Sequence, residues 1–300
     1  MIGLWKDEQI ESHKRVVDFL HSQGSSVCLQ IAHAGRKAST FAPYEQKGMS
    51  VYCTPDQGGW DDVWSPLNLP FRPEKGIAPH AMTNKEIELL IESFGKSAER
   101  AHKAGYDLLE IHGAHGYLLN EFLSPITNQR SDEWGGKEFE NRIGILLKVI
   151  QRVRQSWPIE KPLGIRLSCD DGLSGAGWTI HDTVKLVKII CKEPFSLDFV
   201  DCSSGGISMD SLVFQSHEGF NISHSRAVKE ALNELKSDAK VMVVGGFHDP
   251  LSVDSAIANG DADIVLMARQ FLREPTWMKR AAETVGKEPF YARQYLRSKK

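Results

Sequence analysis

The chain has 300 residues, 41% of them hydrophobic and 25% charged, with a formal net charge of −3. That length suits two modest domains or one (β/α) barrel of ~250 residues, and the composition excludes a largely disordered chain. With no long basic block and no apolar run of ~20 residues, neither general attraction to nucleic acid or anionic membrane nor a membrane-spanning helix is expected.

The first residues have no basic stretch followed by a long apolar one, so no signal peptide is expected. Five cysteines, Cys28, Cys53, Cys169, Cys191 and Cys202, are widely spaced and form no CxxC pair. They read as reduced thiols of a cytoplasmic protein rather than a disulfide framework, zinc ribbon or iron–sulfur ligand set.

Ile10, Val16, Val17 and Leu20 recur at helical spacing over residues 7–21, and Gly24 ends the run. Residues 26–31 (SVCLQI) read as a buried strand. Residues 32–82, rich in Gly, Pro, Trp and charge, read as an inserted loop or lid, since structureless loops of that length usually serve a function. Thr83 and Glu86 have capping-box spacing and open a helix to about residue 104. Strands then follow at 106–112, 163–168, 197–202, 240–245 and 263–267. Helices fall at 139–155, 179–192 (with Thr179 or Asp182 near its cap), 223–235, 250–259 and 276–285. Strand followed by helix, repeated, predicts a parallel sheet with right-handed crossovers. The strands read as apolar along their length, as in a sheet covered on both faces. No linker divides the chain, so residues 1–300 read as a single domain.

Six strands are visible, and a closed (β/α)8 barrel needs eight. The opening helix precedes the first strand instead of following one, so the pattern matches a TIM-type barrel incomplete at its N-terminal side. An open doubly wound sheet is the alternative, although no GxGxxG follows the first strand.

In a barrel, chemistry collects at the C-terminal strand ends. The last two ends carry Gly245-Gly246 and Ala268-Arg269. These supply small residues, backbone donors and a positive charge, which suits a phosphate; the plainer alternative is two tight turns and a surface arginine. His112 and His115, with Tyr117 beside them, allow three readings. They form a zinc pair lacking a third ligand, a pair of structural histidines, or two donors aimed at one developing oxyanion with a tyrosine acid. Gln30 and Arg166 are polar positions within strands. A buried arginine needs an anionic or strongly accepting partner, either an electron-rich ligand edge or an acidic residue such as Glu110.

Three segments together resemble the Old Yellow Enzyme family of FMN-dependent oxidoreductases. They are Leu29-Gln30-Ile31-Ala32-His33-Ala34-Gly35-Arg36, the run from His112 through Tyr117 to Ser124-Pro125, and Asn128-Gln129-Arg130-Ser131-Asp132-Glu133-Trp134-Gly135-Gly136. Arg142, the 164–168 strand and the Arg269 loop continue the match, which spans essentially the whole chain. The HAGRKA segment is most similar to the bacterial-type branch of NADPH dehydrogenases.

The resemblance implies bound FMN, NADPH or NADH as reductant, and hydride transfer to activated alkenes such as α,β-unsaturated carbonyls. It implies that Gln30 bonds the flavin pyrimidine edge and that Arg166 stabilises the reduced ring. It further implies that His112 and His115 hold the substrate oxygen and that Tyr117 delivers a proton. Gly245, Gly246, Ala268 and Arg269 correspond to the phosphate site, although the family often has glycine where this chain has Ala268. Lys37 corresponds to a basic residue of the cofactor site. Arg293, in Tyr291-Ala292-Arg293, corresponds to a residue reaching a neighbouring subunit, which implies a homo-oligomer. The implied partners are small molecules.

The chain opens at the helix that, in the family, follows barrel strands one and two. Two unpaired sheet edges and weaker FMN binding than in an eight-stranded relative are therefore expected. A truncated, non-catalytic remnant that does not retain flavin is the competing expectation, and the colour of the purified protein separates the two. A dienoyl-CoA-reductase-type flavin barrel is disfavoured by the absence of its extra cysteine cluster, and a metal-dependent barrel remains as a further alternative.

Overall fold

An amphipathic helix, α1 (Ile10–Ser22), leads into the first strand, β1 (Cys28–Ile31), in a computed structural model that describes residues 3–42, 44–45, 51–74, 77–211 and 217–298. The segment read as an inserted loop or lid contains a short parallel pair, β2 (Trp64–Ser65) and β3 (His80–Ala81), with 3-10 turns at Gly35–Lys37 and Pro55–Gln57.

Helix α2 (Asn84–Lys103) then starts at Thr83. The Thr83 hydroxyl accepts from the Glu86 amide at 3.3 Å while the Glu86 carboxylate accepts from the Thr83 amide at 2.7 Å, the reciprocal cap that the spacing predicts. Strands β4 (Leu108–Gly113), β5 (Leu163–Ser168), β6 (Phe199–Ser203), β7 (Lys240–Val244) and β8 (Ile264–Leu266) alternate with helices. The helices are α3 (Leu118–Leu123), α4 (Phe139–Ser156), α5 (Ile180–Ile190), α6 (Ile222–Leu235), α7 (Pro250–Ala258), α8 (Arg269–Arg273) and α9 (Trp277–Thr284). Thr179, rather than Asp182, is the cap of α5. The two short helices α3 and α8 have no counterpart in the sequence reading, because one turn or two shows too little periodicity to stand out.

The six long-range strands form one parallel sheet in the order β1-β4-β5-β6-β7-β8. A doubly wound sheet reverses its strand order at a switch point. This order never reverses, so the sheet is a curled, incomplete (β/α) barrel.

Side chains alternate across it. Leu109, Ile111, Ile165, Leu167, Val200, Cys202, Val241 and Val243 all have 0% exposure and form the face under the helices. The other face differs from the expectation of continuous apolar strands. It carries Glu110 and His112 on β4, Arg166 and Ser168 on β5, and Asp201 and Ser203 on β6. A row of charge inside a sheet persists only where its members are paired or serve a ligand. Among the described residues, β1 and β8 each pair on one side alone, and Gln30 and Ile264 are exposed there.

Candidate active site

Register brings the inward-facing groups together. Gln30 lies opposite Glu110, and His112, Arg166 and Asp201 form a row across β4, β5 and β6. Gln30 Nε2 donates to Glu110 Oε1. Arg166 Nε lies 3.1 Å from Asp201 Oδ2, close enough for an ion pair but not aligned as a hydrogen bond. The acidic partner of Arg166 is thus Asp201 rather than Glu110, a residue the sequence reading did not single out. Only strand register reveals it.

Burial pushes the Asp201 carboxyl up to about 7, with Arg166 pulling the other way and Glu110 adding to the rise. Burial also raises Glu110, against the pull of Gln30 and Arg166. One arginine therefore faces two carboxyls that resist ionising together. Both Asp201 oxygens and Arg166 Nε are buried without a hydrogen bond, while the Arg166 side chain keeps 21% exposure. A cation so placed suits a ligand with an electron-rich edge.

The β4 strand ends at the histidines. The His112 and His115 rings lie 5.1 Å apart, centre to centre, and the Tyr117 ring lies 4.9 Å from that of His112. Burial, with Arg166 and Lys37 acting alike, lowers the His112 pKa to about 4, and burial lowers His115 well below its ordinary value. Both rings are neutral at pH 7. His112 Nδ1 accepts from the Ala114 amide at 3.2 Å, which assigns the His112 proton to Nε2. That N–H donates to His115 Nδ1 at 3.2 Å, so the His115 proton sits on Nε2 and is donated to Ser203 Oγ at 2.6 Å. The pair is therefore a directed chain in which a ligand oxygen would compete with Ser203 for the outermost donor. Among the described residues, no group of three or more His, Cys, Asp or Glu is arranged to hold a metal ion.

The remaining candidates surround this core. Lys37 Nζ donates to the His115 carbonyl at 2.7 Å and to the Gly206 carbonyl, and lies 4.2 Å from the Phe71 ring centre. Two of its three donors are thus committed to loop backbone. Pairing of Val244 with Leu266 puts Gly245-Gly246 and Ala268-Arg269 beside each other at the C-terminal end of the sheet. Gly246 takes a left-handed φ of 67°, which favours glycine, and Ala268 and Arg269 are exposed. This gives a glycine turn beside an exposed cation, which suits a phosphate. Arg293, itself exposed, begins a 3-10 turn (Arg293–Ser298) far along the chain from these groups. Among the described residues, no helix is long and apolar enough to cross a membrane.

Known proteins share this sequence pattern and this fold. Residues 1–288 match the family described as NADH:flavin oxidoreductase / NADH oxidase. The chain is 35% identical over 304 residues to a NADH:flavin oxidoreductase of Gibberella zeae, covering 98% of this chain and 71% of that protein. It is 33% identical over 288 residues to the NADPH dehydrogenase of Bacillus subtilis, covering 96% of this chain and 75% of the relative. Two solved structures share the fold: histamine dehydrogenase from Rhizobium (TM-score 0.73, 24% identity, 94% of this chain) and a 2-naphthoyl-CoA reductase (TM-score 0.77, 21% identity, 95% of this chain). The chain spans only 38% and 42% of those two longer proteins.

Proposed function

Because the chain belongs to the NADH:flavin oxidoreductase / NADH oxidase family and so is an FMN-dependent oxidoreductase of the Old Yellow Enzyme type, we propose that it moves hydride from NADPH or NADH to an activated alkene such as an α,β-unsaturated carbonyl. The observation that carries this reading is the gathering of His112, His115 and Tyr117 at one strand end, with His112 in the same row as Arg166.

FMN, when bound, supplies the two-electron hydride transfer that no side chain can perform. The residues fit it: Arg166 and Gln30 suit an electron-rich ring edge, and Gly245, Gly246, Ala268 and Arg269 suit a phosphate. The protein's own part is electrostatic and geometric. Two neutral imidazoles stabilise charge that develops on the substrate oxygen in a largely buried setting, His115 by turning its outermost Nε2–H from Ser203 to the ligand and His112 by turning its Nε2–H from His115 Nδ1. Neutrality matters, since an imidazolium pair would repel and would break the donor–acceptor chain. The Tyr117 hydroxyl delivers the proton to the alkene carbon next to the carbonyl, completing addition of hydride and proton across the double bond.

The test is anaerobic stopped-flow kinetics on FMN-loaded protein, with NADPH reduction and cyclohexenone reduction followed separately. His112→Ala is expected to slow alkene reduction by about 10²–10³, the scale of one lost oxyanion donor, while flavin reduction changes far less. Equal losses in both half-reactions would sink the assignment.

A further inference from the structure

His115 is a non-glycine residue in the left-handed region, with φ 59°. Such a conformation persists only where the surroundings impose it. Here each of its polar groups is held. The Ser168 hydroxyl accepts from the His115 amide at 2.8 Å and donates its own proton to the Gly205 carbonyl at 2.8 Å. Lys37 Nζ donates to the His115 carbonyl and to the Gly206 carbonyl. The ring N–H goes to Ser203, the direct register partner of Ser168. A neighbouring serine pair on β5 and β6 thus takes both the amide and the ring of one histidine.

The loops after β4 and β6 meet through these contacts. A Cβ at Gly206 would stand 2.7 Å from His115 Cα, so only glycine permits the approach. Ser168 is 1% exposed, so water cannot replace its hydroxyl.

We infer that Ser168 and Lys37 are positioning residues that clamp His115 by its amide and its carbonyl in the left-handed conformation, and so aim its imidazole at the substrate oxygen. The inference rests on the reading of His115 as a carbonyl-binding group. It gives Ser168 a role exerted through the His115 backbone, and it makes Lys37 a holder of the loop.

The experiment titrates FMN-loaded protein with a para-substituted phenol, an oxygen-donor probe of the histidine pair, and follows flavin absorbance. In Ser168→Ala the phenol affinity is expected to fall about tenfold, the scale of one lost hydrogen bond to a buried partner. The FMN dissociation constant and the rate of flavin reduction by NADPH stay within about twofold, since the hydrogen bonds of this hydroxyl go to the His115 amide and the Gly205 carbonyl. Amide hydrogen exchange of the 114–117 segment speeds up, and Ser168→Thr, which keeps the hydroxyl, recovers the affinity. In a His115→Ala background Ser168→Ala costs nothing further, which a general structural role would not produce.

Should Ser168→Ala fail to fold, Lys37→Met interrogates the same clamp from the carbonyl side and is expected to weaken phenol binding in the same direction. Parental affinity in the clamp variants, with His115→Ala impaired, overturns this inference alone. Unchanged affinity in His115→Ala overturns both the inference and the reading beneath it.

Discussion

His112 shows how much one buried ring depends on charge state. Burial and the nearby Arg166 bring its pKa to about 4, below the ~6.5 of an unfolded histidine. A folded value lower than the unfolded one means the native state resists protonation. Its contribution to stability is therefore present above about pH 6.5 and is lost as the pH falls towards 4. Asp201 works in the opposite sense. With its carboxyl raised to about 7, its contribution is complete below about pH 4 and is lost as the pH rises through 7. Comparing His112→Gln with the parent cancels the carboxylate background. The expected outcome is a flatter acid limb of Tm against pH between about 6.5 and 4 in the variant. Parallel limbs would show that the ring titrates normally in the folded chain.

Between the strands, short polar segments serve as fasteners. Asn128 Nδ2 donates to the carbonyls of Phe122 at 2.7 Å and Trp134 at 2.8 Å, stopping α3 and fixing the turn before α4. Arg130 Nη1 reaches the Met82 carbonyl at 2.7 Å and the Pro66 carbonyl at 3.1 Å, holding the β2–β3 excursion. Arg142 on α4, buried, bonds the carbonyls of Leu123, Gly136 and Lys137. Glu121 on α3 accepts from the Arg36 amide and the Ser65 hydroxyl, each at 2.8 Å. The polar run from Asn128 to Gly136 thus binds backbone. Asn128→Ala leaves two carbonyls without their donor and is expected to cost about 1–3 kcal/mol per group left unsatisfied. Denaturant unfolding measures this, and a change under 0.5 kcal/mol, the usual span of a neutral surface substitution, would show that water or another donor takes over.

For the whole molecule, the decisive feature is a curled parallel sheet that, among the described residues, does not close on itself. β1 and β8 each present one unpaired side among the described residues, and Ile264 on β8 is 41% exposed. Open edges with apolar side chains favour edge-to-edge association. Sedimentation over a range of concentrations is expected to show self-association in the parent and less of it in Ile264→Lys, because an edge lysine opposes pairing. Identical sedimentation of the two would place any association elsewhere.

The alternation of strand and helix, the six parallel strands and the capping box at Thr83 were all legible in the chain, because each depends on neighbours within a few residues. The cluster of His112, His115 and Tyr117 was legible for the same reason, lying within one strand end. The partners of these groups were not. Asp201 for Arg166, Ser203 for the His115 ring, and Ser168 and Lys37 for its backbone come from other strands and from the loop after β1. Which residue faces which across a sheet is set by strand register, and register follows from how all the strands pack at once. The order of residues determined the barrel type and which polar residues stand at the strand ends; only the folded sheet decided which buried groups share their charge and protons.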